Sequence, residues 1–194
     1  MMRIADALAA FKPHRGDAIV VPGRGGKFWV ELTQDPQMDL PLGDPAMGGH
    51  AGFALGLALA QPNRKVVLFD SEGDILMSLG MLTTIAEQAP PNFYHFLLDN
   101  EVYATTGGQP VPNAKNVKYD KLALATGYPR AQAFDKLDDL DRALPDILGR
   151  PGPVFVALKV YPEIENAPIG SRVRWNRRTR DAVIGDLRGE LQIS

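Results

Sequence analysis

The chain has 194 residues, a length that fits one α/β domain with an appended tail. Hydrophobic residues make up 45% of the chain and charged residues 23%, the balance of a folded protein rather than a disordered one. The net charge of −2 argues against a nucleic-acid partner and against attraction to acidic membranes. Because the chain contains no cysteine, disulfides, thiolate catalysis and cysteine-ligated metal sites are excluded.

The sequence contains no pattern typical of a membrane or secretory segment. The longest apolar stretch, residues 51–60, is about half of the roughly 20 residues that a membrane helix needs. The first residues, Met-Met-Arg-Ile-Ala-Asp, lack the apolar core of a secretory signal. We therefore expect a cytoplasmic protein.

The predicted elements alternate between strand and helix along the chain. Continuous apolar runs predict buried parallel strands over residues 18–21, 65–69, 93–98 and 154–160. The apolar spacing between these runs predicts helices over residues 48–60, 75–88 and 137–148. This alternation predicts an α/β fold with a doubly wound, mainly parallel sheet flanked by helices.

Two segments interrupt the alternation. Residues 100–116 form a long predicted loop, and such loops in compact domains are usually functional. The tail after Tyr161 contains six arginines, which are Arg172, Arg174, Arg177, Arg178, Arg180 and Arg188. Its apolar residues Val183, Ile184, Leu187 and Leu191 could share one helix face. We therefore predict a domain over residues 1–160 and a tail over 161–194 that either caps the domain or docks on another subunit.

Polar residues follow two of the predicted strands. Asp70, Glu72 and Asp74 come after the strand 65–69, and Asn100 comes after the strand 93–98. Ligands of open α/β sheets bind at the carboxyl ends of the strands. Oxygen ligands there suit Mg²⁺ with a diphosphate, and a glycine turn that opens a helix offers N–H groups to an anion. The residue types alone leave solvated loop carboxylates as the alternative.

The order of these segments resembles the diphosphate-binding half of the thiamine-diphosphate-dependent enzymes. That family has Gly-Asp-Gly followed by Asn-Asn, and the matching stretches here are residues 71–73 and 99–100, with 28 positions from Glu72 to Asn100. Residues 97–110, Leu-Leu-Asp-Asn-Glu-Val-Tyr-Ala-Thr-Thr-Gly-Gly-Gln-Pro, are most similar to sulfopyruvate and phosphonopyruvate decarboxylases, especially to the separate beta subunit of the former. The resemblance covers roughly residues 1–160.

The resemblance implies a set of residues that bind the cofactor. The Mg²⁺ ligands would be the side chains of Glu72 and Asn100 and the backbone carbonyl of Val102. The other residues that it places at the diphosphate end are Gly25, Ser71, Gly73, Asp74 and Tyr103. Among these, Gly25, Gly73 and Asp74 would donate backbone N–H groups to the diphosphate.

A second group of residues would lie near the reacting end of the cofactor. Met47, 25 positions before Glu72, is implied to wedge beneath the thiazolium, and the backbone around Pro45 to receive the pyrimidine. His50 would be near enough to touch the substrate or a cofactor phosphate. From the residues alone, a core methionine is the favoured interpretation of Met47, and His50 could equally be a surface or core histidine.

Two further features have mainly structural interpretations. His95 lies inside an apolar run, which favours a core histidine with satisfied hydrogen bonds. The turn at residues 23–27, Gly-Arg-Gly-Gly-Lys, could bind a phosphate, although a lone glycine-rich turn is a weak signal. Arg24 or Lys27 could alternatively attract an acidic group of the substrate.

This sequence departs from the family pattern at two positions. Glu72 replaces aspartate and is one methylene longer, and Asp74 stands where the family commonly has a small residue. A carboxylate at residue 74 would repel a diphosphate unless it points away or becomes a ligand. The site is therefore either remodelled or weak in cofactor binding.

The resemblance implies the beta-type subunit of a decarboxylase that uses thiamine diphosphate and Mg²⁺ and acts on a small anionic 2-oxo acid. Sulfopyruvate or phosphonopyruvate would be the type of substrate. The implied partner is a pyrimidine-binding alpha-type subunit that carries an activating glutamate. The alternatives are half of a carboligase or lyase and a catalytically degenerate binding or regulatory subunit.

Overall fold

A single parallel sheet forms the centre of the computed structural model, which describes residues 1–41, 47–164, 166–171 and 176–193. Its five strands lie in the order β1-β2-β3-β7-β6, and every neighbouring pair is parallel. The strands are β1 (Ile19–Val21), β2 (Val66–Ser71), β3 (Phe93–Asp99), β6 (Arg130–Phe134) and β7 (Val154–Lys159). The predicted fold class is confirmed.

Helices cover both faces of the sheet, which explains why the central strands are continuously apolar. They are α1 (Ile4–Phe11), α2 (Gly26–Leu32), α3 (His50–Ala60), α4 (Glu72–Met77), α5 (Met81–Gln88), α6 (Tyr119–Ala125), α7 (Leu137–Gly149) and α8 (Arg180–Glu190). One buried cluster joins the sheet to α3, α5, α6 and α8, and a second joins the opposite face to α1, α2 and α7. In the described ranges, no helix combines the length and apolar character needed to cross a bilayer.

The strand order brings the polar segments after the strands to one edge of the sheet. In the parallel register, Asp70 of β2 lies opposite Leu97 of β3, so the carboxyl ends of these two strands are adjacent. The chain then runs from β3 to the edge strand β6 and returns to β7, so that α7 packs on the opposite face. Residues 22–25, 47–50, 71–74 and 99–103 consequently meet at this edge.

Some predicted boundaries are wrong. The single helix expected over residues 75–88 is two helices, because Ser78 leaves helical geometry and α5 begins only after Gly80. The expected loop at 100–116 contains a short antiparallel hairpin of β4 (Val102–Tyr103) and β5 (Gln109–Pro110). The sequence analysis also missed β6, whose residues are mostly only half-buried, and the helices α1, α2 and α6.

The described part of the tail packs on the domain. Val183 and Leu187 of α8 are buried in the cluster that also contains residues of α3 and α6. Thr179 caps the helix, since its side chain accepts a hydrogen bond from the Ala182 N–H at 3.2 Å. The division between residues 1–160 and 161–194 stays a prediction.

Candidate functional site

Glu72 is placed by the junction between β2 and α4. Ser71 ends the strand and caps the helix, because its Oγ accepts a hydrogen bond from the Asp74 N–H at 3.2 Å. This abrupt strand-to-helix junction turns Glu72 into the protein, where its exposed fraction is only 1%. The local sequence thus buries a carboxylate at the ligand-binding edge of the sheet.

Glu72 lies against Asn100 at the end of β3. The Asn100 backbone N–H donates a hydrogen bond to Glu72 Oε1 at 3.1 Å, while Glu72 Oε2 has no hydrogen-bond partner among the residues that the structure describes. Burial raises the pKa of Glu72 to about 8, and the nearby charge of Asp99 adds to this rise. A buried, unpartnered carboxylate oxygen is costly, and a bound cation would relieve that cost.

Two more unpartnered polar atoms lie close to Glu72. They are Asp99 Oδ1 and the Tyr119 hydroxyl, which have no hydrogen-bond partner within the described ranges. Burial raises the pKa of Tyr119, and the charges of Asp99 and Glu72 raise it further, so the three side chains lie close enough to interact. Asp99 Oδ2 is neutralised by Lys159 Nζ at 2.8 Å. The sequence analysis missed Tyr119, because it lies on α6, far from the motifs.

The donor set fits Mg²⁺. The unpartnered oxygen of Glu72 and the amide oxygen of Asn100 come from the ends of adjacent strands, and both are the hard oxygen ligands that this ion prefers. Asn100 Oδ1 accepts a hydrogen bond from the Val102 N–H at 2.9 Å, which orients the amide and leaves a second lone pair. Glu72, Asn100 and Val102 therefore lie together, as expected for the predicted ligands.

Gly73 and Tyr103 are in direct contact. A Cβ at residue 73 would lie 3.0 Å from two carbons of the Tyr103 ring, so only glycine lets the hairpin after Asn100 approach α4 this closely. The two predicted cofactor-binding residues are therefore adjacent. This contact fixes the 100–103 segment beside Glu72.

Four donors from separate elements bind the Asp74 carboxylate, and the neighbouring Ser71 hydroxyl adds a longer hydrogen bond to Oδ2 at 3.4 Å. Arg24 donates from Nε to Oδ2 at 3.0 Å and from Nη2 to Oδ1 at 3.1 Å. The Gly48 N–H donates to Oδ1 at 2.9 Å, and His50 Nδ1 lies 3.1 Å from Oδ2. Asp74 itself has an exposed fraction of 2%. Its carboxylate therefore points inward, toward Arg24, Gly48 and His50.

Charge explains the stability of this arrangement. Burial raises the pKa of Asp74, but the hydrogen bonds from His50 and Arg24 outweigh burial and hold the pKa well below its usual range. Burial lowers the pKa of His50, yet the hydrogen bond and charge of Asp74 outweigh it, so that this pKa is raised. Asp74 is consequently ionised and paired, in contrast to Glu72.

A second group of possible metal ligands is also present. His50, Asp70 and Asp74 each bring one ligand atom to within 4.8 Å of the others. The two carboxylates already have hydrogen-bond partners, because Arg24 binds Asp74 and His95 Nε2 lies 3.2 Å from Asp70 Oδ2. The geometry therefore favours Glu72 and Asn100 over this group as the cation site.

The remaining predicted site residues differ in where they lie and in whether their donor groups are free. Met47 lies beside the site with an exposed fraction of 52%, which is inconsistent with a core methionine. Pro45 lies outside the described residues. The Gly25 N–H donates to the Pro22 carbonyl at 2.8 Å and the Asp74 N–H to Ser71, so these two expected donors to a diphosphate are already engaged.

The structural interpretation of His95 is confirmed. Its side chain is fully buried, with Nε2 facing Asp70 and Nδ1 lying 3.1 Å from the Tyr128 hydroxyl. Lys27 forms an ion pair with Glu163 at 3.5 Å. In the described chain, the glycine-rich turn thus contributes Arg24 to the Asp74 carboxylate rather than an open phosphate loop.

Comparisons with known proteins give a consistent result. Residues 28–158 match the family model described as thiamine pyrophosphate enzyme, C-terminal TPP binding domain. The chain is 43% identical over 157 residues to a phosphonopyruvate decarboxylase of Streptomyces viridochromogenes, covering 81% of this chain and 38% of that protein. It is 38% identical over 124 residues to sulfopyruvate decarboxylase subunit beta of Methanothermobacter thermautotrophicus, covering 64% and 63% respectively. The chain therefore spans less than two thirds of either relative.

A solved structure shares the fold. The 4-hydroxybenzoylformate decarboxylase of Rhodococcus jostii RHA1, which is dependent on thiamine diphosphate, superposes with a TM-score of 0.63 over 85% of this chain and 33% of that one. The sequence identity is 19%. The likeness extends to the arrangement of strands and helices.

Proposed function

Because the chain belongs to the thiamine pyrophosphate enzyme family, we propose that it is the beta-type subunit of a decarboxylase for a small anionic 2-oxo acid. The names of the two relatives support sulfopyruvate or phosphonopyruvate as the type of substrate. The observation that carries the proposal is the buried, unpartnered Oε2 of Glu72 beside Asn100.

The proposed work of this chain is to bind and position the cofactor. Glu72, Asn100 and the carbonyl of Val102 hold Mg²⁺, which neutralises the diphosphate. The contact between Gly73 and Tyr103 keeps the hairpin closed over this end of the site. When bound, thiamine diphosphate supplies the electron sink that lets a 2-oxo acid lose CO₂.

The proposal includes a partner subunit of alpha type. Two large apolar side chains beside the site are exposed, with fractions of 52% for Met47 and 49% for Met77, and a Cβ at Gly48 would lie 2.9 Å from the Met77 Cβ, so the two segments are neighbours. An exposed apolar patch of this kind is typical of a protein–protein interface. The partner would cover this patch and bring the activating glutamate to the pyrimidine.

Product analysis tests the proposed activity. The assembled complex, with thiamine diphosphate and Mg²⁺, is expected to convert sulfopyruvate or phosphonopyruvate into CO₂ and the free aldehyde. A coupled ketol in place of the aldehyde would identify a carboligase, and the absence of any turnover with intact cofactor binding would identify a different substrate class.

One observation favours a second candidate, a catalytically degenerate binding subunit. The Asp74 carboxylate lies buried among donors that a cofactor phosphate could otherwise use. A degenerate subunit would bind its partner but not thiamine diphosphate. Calorimetry on the assembled complex separates the two functions.

Replacing Met47 with alanine should lower turnover while leaving cofactor affinity nearly unchanged. Met47 is half-exposed beside the site and far less buried than Glu72, so the change removes a wedge rather than an anchor. We expect a drop in kcat of about tenfold or more, with little change in stability. Exposed Met1 provides a matched control, since Met1→Ala should change neither quantity. Full activity of the Met47→Ala complex would show that Met47 does not support turnover.

A further inference from the structure

The donors around Asp74 bind its carboxylate in the way that a protein binds a free anion. Two come from the guanidinium of Arg24, one from the backbone of Gly48 and one from the ring of His50. We call these four donors the Asp74 cradle. Both carboxylate oxygens are bound, each by two of the donors.

The cradle is assembled from two parts of the fold that are distant from Asp74 in sequence. Arg24 lies in the turn after β1, and Gly48 and His50 lie at the start of α3, while Asp74 follows β2. These segments share only their position at the carboxyl edge of the sheet. A hydrogen-bond set that converges on one anion from separate elements is specific for negative charge rather than for the side chain that supplies it.

The cradle and the candidate cation site are neighbours. Asp74 and Glu72 are both in the first turn of α4, and Glu72 contacts Asn100 while Asp74 contacts Arg24. A cation at Glu72 would bring its own anionic ligand close to the same edge. That anion would meet the Asp74 carboxylate and the donors that now bind it.

We propose that the Asp74 cradle is an anion-binding site whose resident anion is Asp74, and that a diphosphate competes with this carboxylate for Arg24 and His50. The identity of the competing anion as the cofactor's diphosphate rests on the proposed function, whereas the cradle itself does not. Asp74 thereby sets the affinity of the chain for the cofactor. Removal of its charge leaves the donors intact and removes a repelling neighbour.

The test compares the assembled complex of the wild-type chain with that of its Asp74→Asn variant, which keeps the side-chain shape and removes the charge. Binding of thiamine diphosphate is measured by calorimetry at saturating Mg²⁺. Binding of inorganic pyrophosphate, which lacks the thiazolium, is measured by its shift of the melting temperature. We expect at least about tenfold tighter binding of thiamine diphosphate to the variant. We also expect pyrophosphate to raise the melting temperature of the variant more than that of the wild type.

The buried pair of Arg15 and Asp39 provides a matched control. Arg15 Nη2 lies 2.9 Å from Asp39 Oδ1, and this pair is buried to a similar degree as Arg24 and Asp74. Asp39→Asn should destabilise the fold without changing the affinity for either anion. Asp74→Ser serves as a second neutral variant, and Arg24→Gln should weaken the binding of both anions.

The outcomes separate this inference from the proposed function. Unchanged or weaker anion binding by folded Asp74→Asn, with thiamine diphosphate bound normally by the wild type, would overturn the inference and leave the function intact. Pyrophosphate binding by Asp74→Asn, with no thiamine diphosphate binding by any variant, would support the cradle and contradict the function.

Discussion

Replacing Glu72 with glutamine or alanine is expected to abolish Mg²⁺-dependent binding of thiamine diphosphate. Glu72 Oε2 is a buried carboxylate oxygen without a partner in the described chain, so its removal takes away the strongest ligand of the proposed cation site. The diphosphate would then face Asp74 without a neutralising cation. Calorimetry on the assembled complex should show a loss of affinity of at least about a hundredfold. Glu72→Asp should retain binding, because it keeps the charge.

The Glu72→Gln substitution should also stabilise the fold of the metal-free chain. The pKa of Glu72 rises from an ordinary 4.5 to about 8 through burial and the charge of Asp99. The folded state therefore binds more protons than the unfolded state between these pH values, and the wild type loses stability as the pH rises through this window. Glutamine does not titrate, so the advantage of Glu72→Gln should grow over the same window, to a difference on the order of 3 kcal/mol at pH 7.

Urea unfolding in the presence of a chelator measures the gain in the free energy of unfolding that we expect for Glu72→Gln. The exposed Glu87 supplies the matched control, because Glu87→Gln should change neither the stability nor the cofactor affinity. Normal cofactor affinity in folded Glu72→Ala would show that Glu72 does not belong to the cofactor site. A stabilised variant that no longer binds the cofactor is the combination expected of a functional buried carboxylate.

The purified chain is expected to be catalytically silent until an alpha-type partner is added. The site lies at one edge of the sheet, bordered by exposed Met47 and Met77, and its carboxylates are already engaged with the cation site, Arg24, His95 or Lys159. No carboxylate of the described site is therefore left to activate a pyrimidine from the opposite side. Mixing the two subunits should raise decarboxylation from background to at least about a hundredfold above it.

The mixing experiment has a direct control in this chain. A mixture containing the Glu72→Gln variant should assemble but stay inactive, which would assign the turnover to the proposed site. Robust thiamine-dependent turnover by this chain as a homo-oligomer would contradict the partner requirement.

Sequence reasoning predicts the parts of this fold that depend on local patterns. The strand β3 is fully buried on both faces, so its run of apolar residues is continuous and easily read. The rule that strand ends carry ligands then predicts that Glu72 and Asn100 lie together, and their contact in the structure agrees with it. Local chemistry also accounts for the Ser71 cap on α4.

Other features depend on contacts that no local pattern records. The pairing of Arg24 with Asp74 joins residues 50 positions apart, and it could not be distinguished in the sequence from an exposed basic turn. The edge strand β6 contains only half-buried and exposed residues, so its pattern resembles a loop. Tyr119 approaches Glu72 and Asp99 because α6 packs against β6 and β7, a consequence of the strand order rather than of its own segment.

We propose above that Glu72 and Asn100 form a cation site that anchors the cofactor's diphosphate. The most direct measurement is a calorimetric titration of the assembled complex with thiamine diphosphate, with and without Mg²⁺. We expect that the binding of thiamine diphosphate requires Mg²⁺ and is lost in Glu72→Gln. Equal affinity in the presence and absence of Mg²⁺, or equal affinity in the wild type and Glu72→Gln, would contradict it.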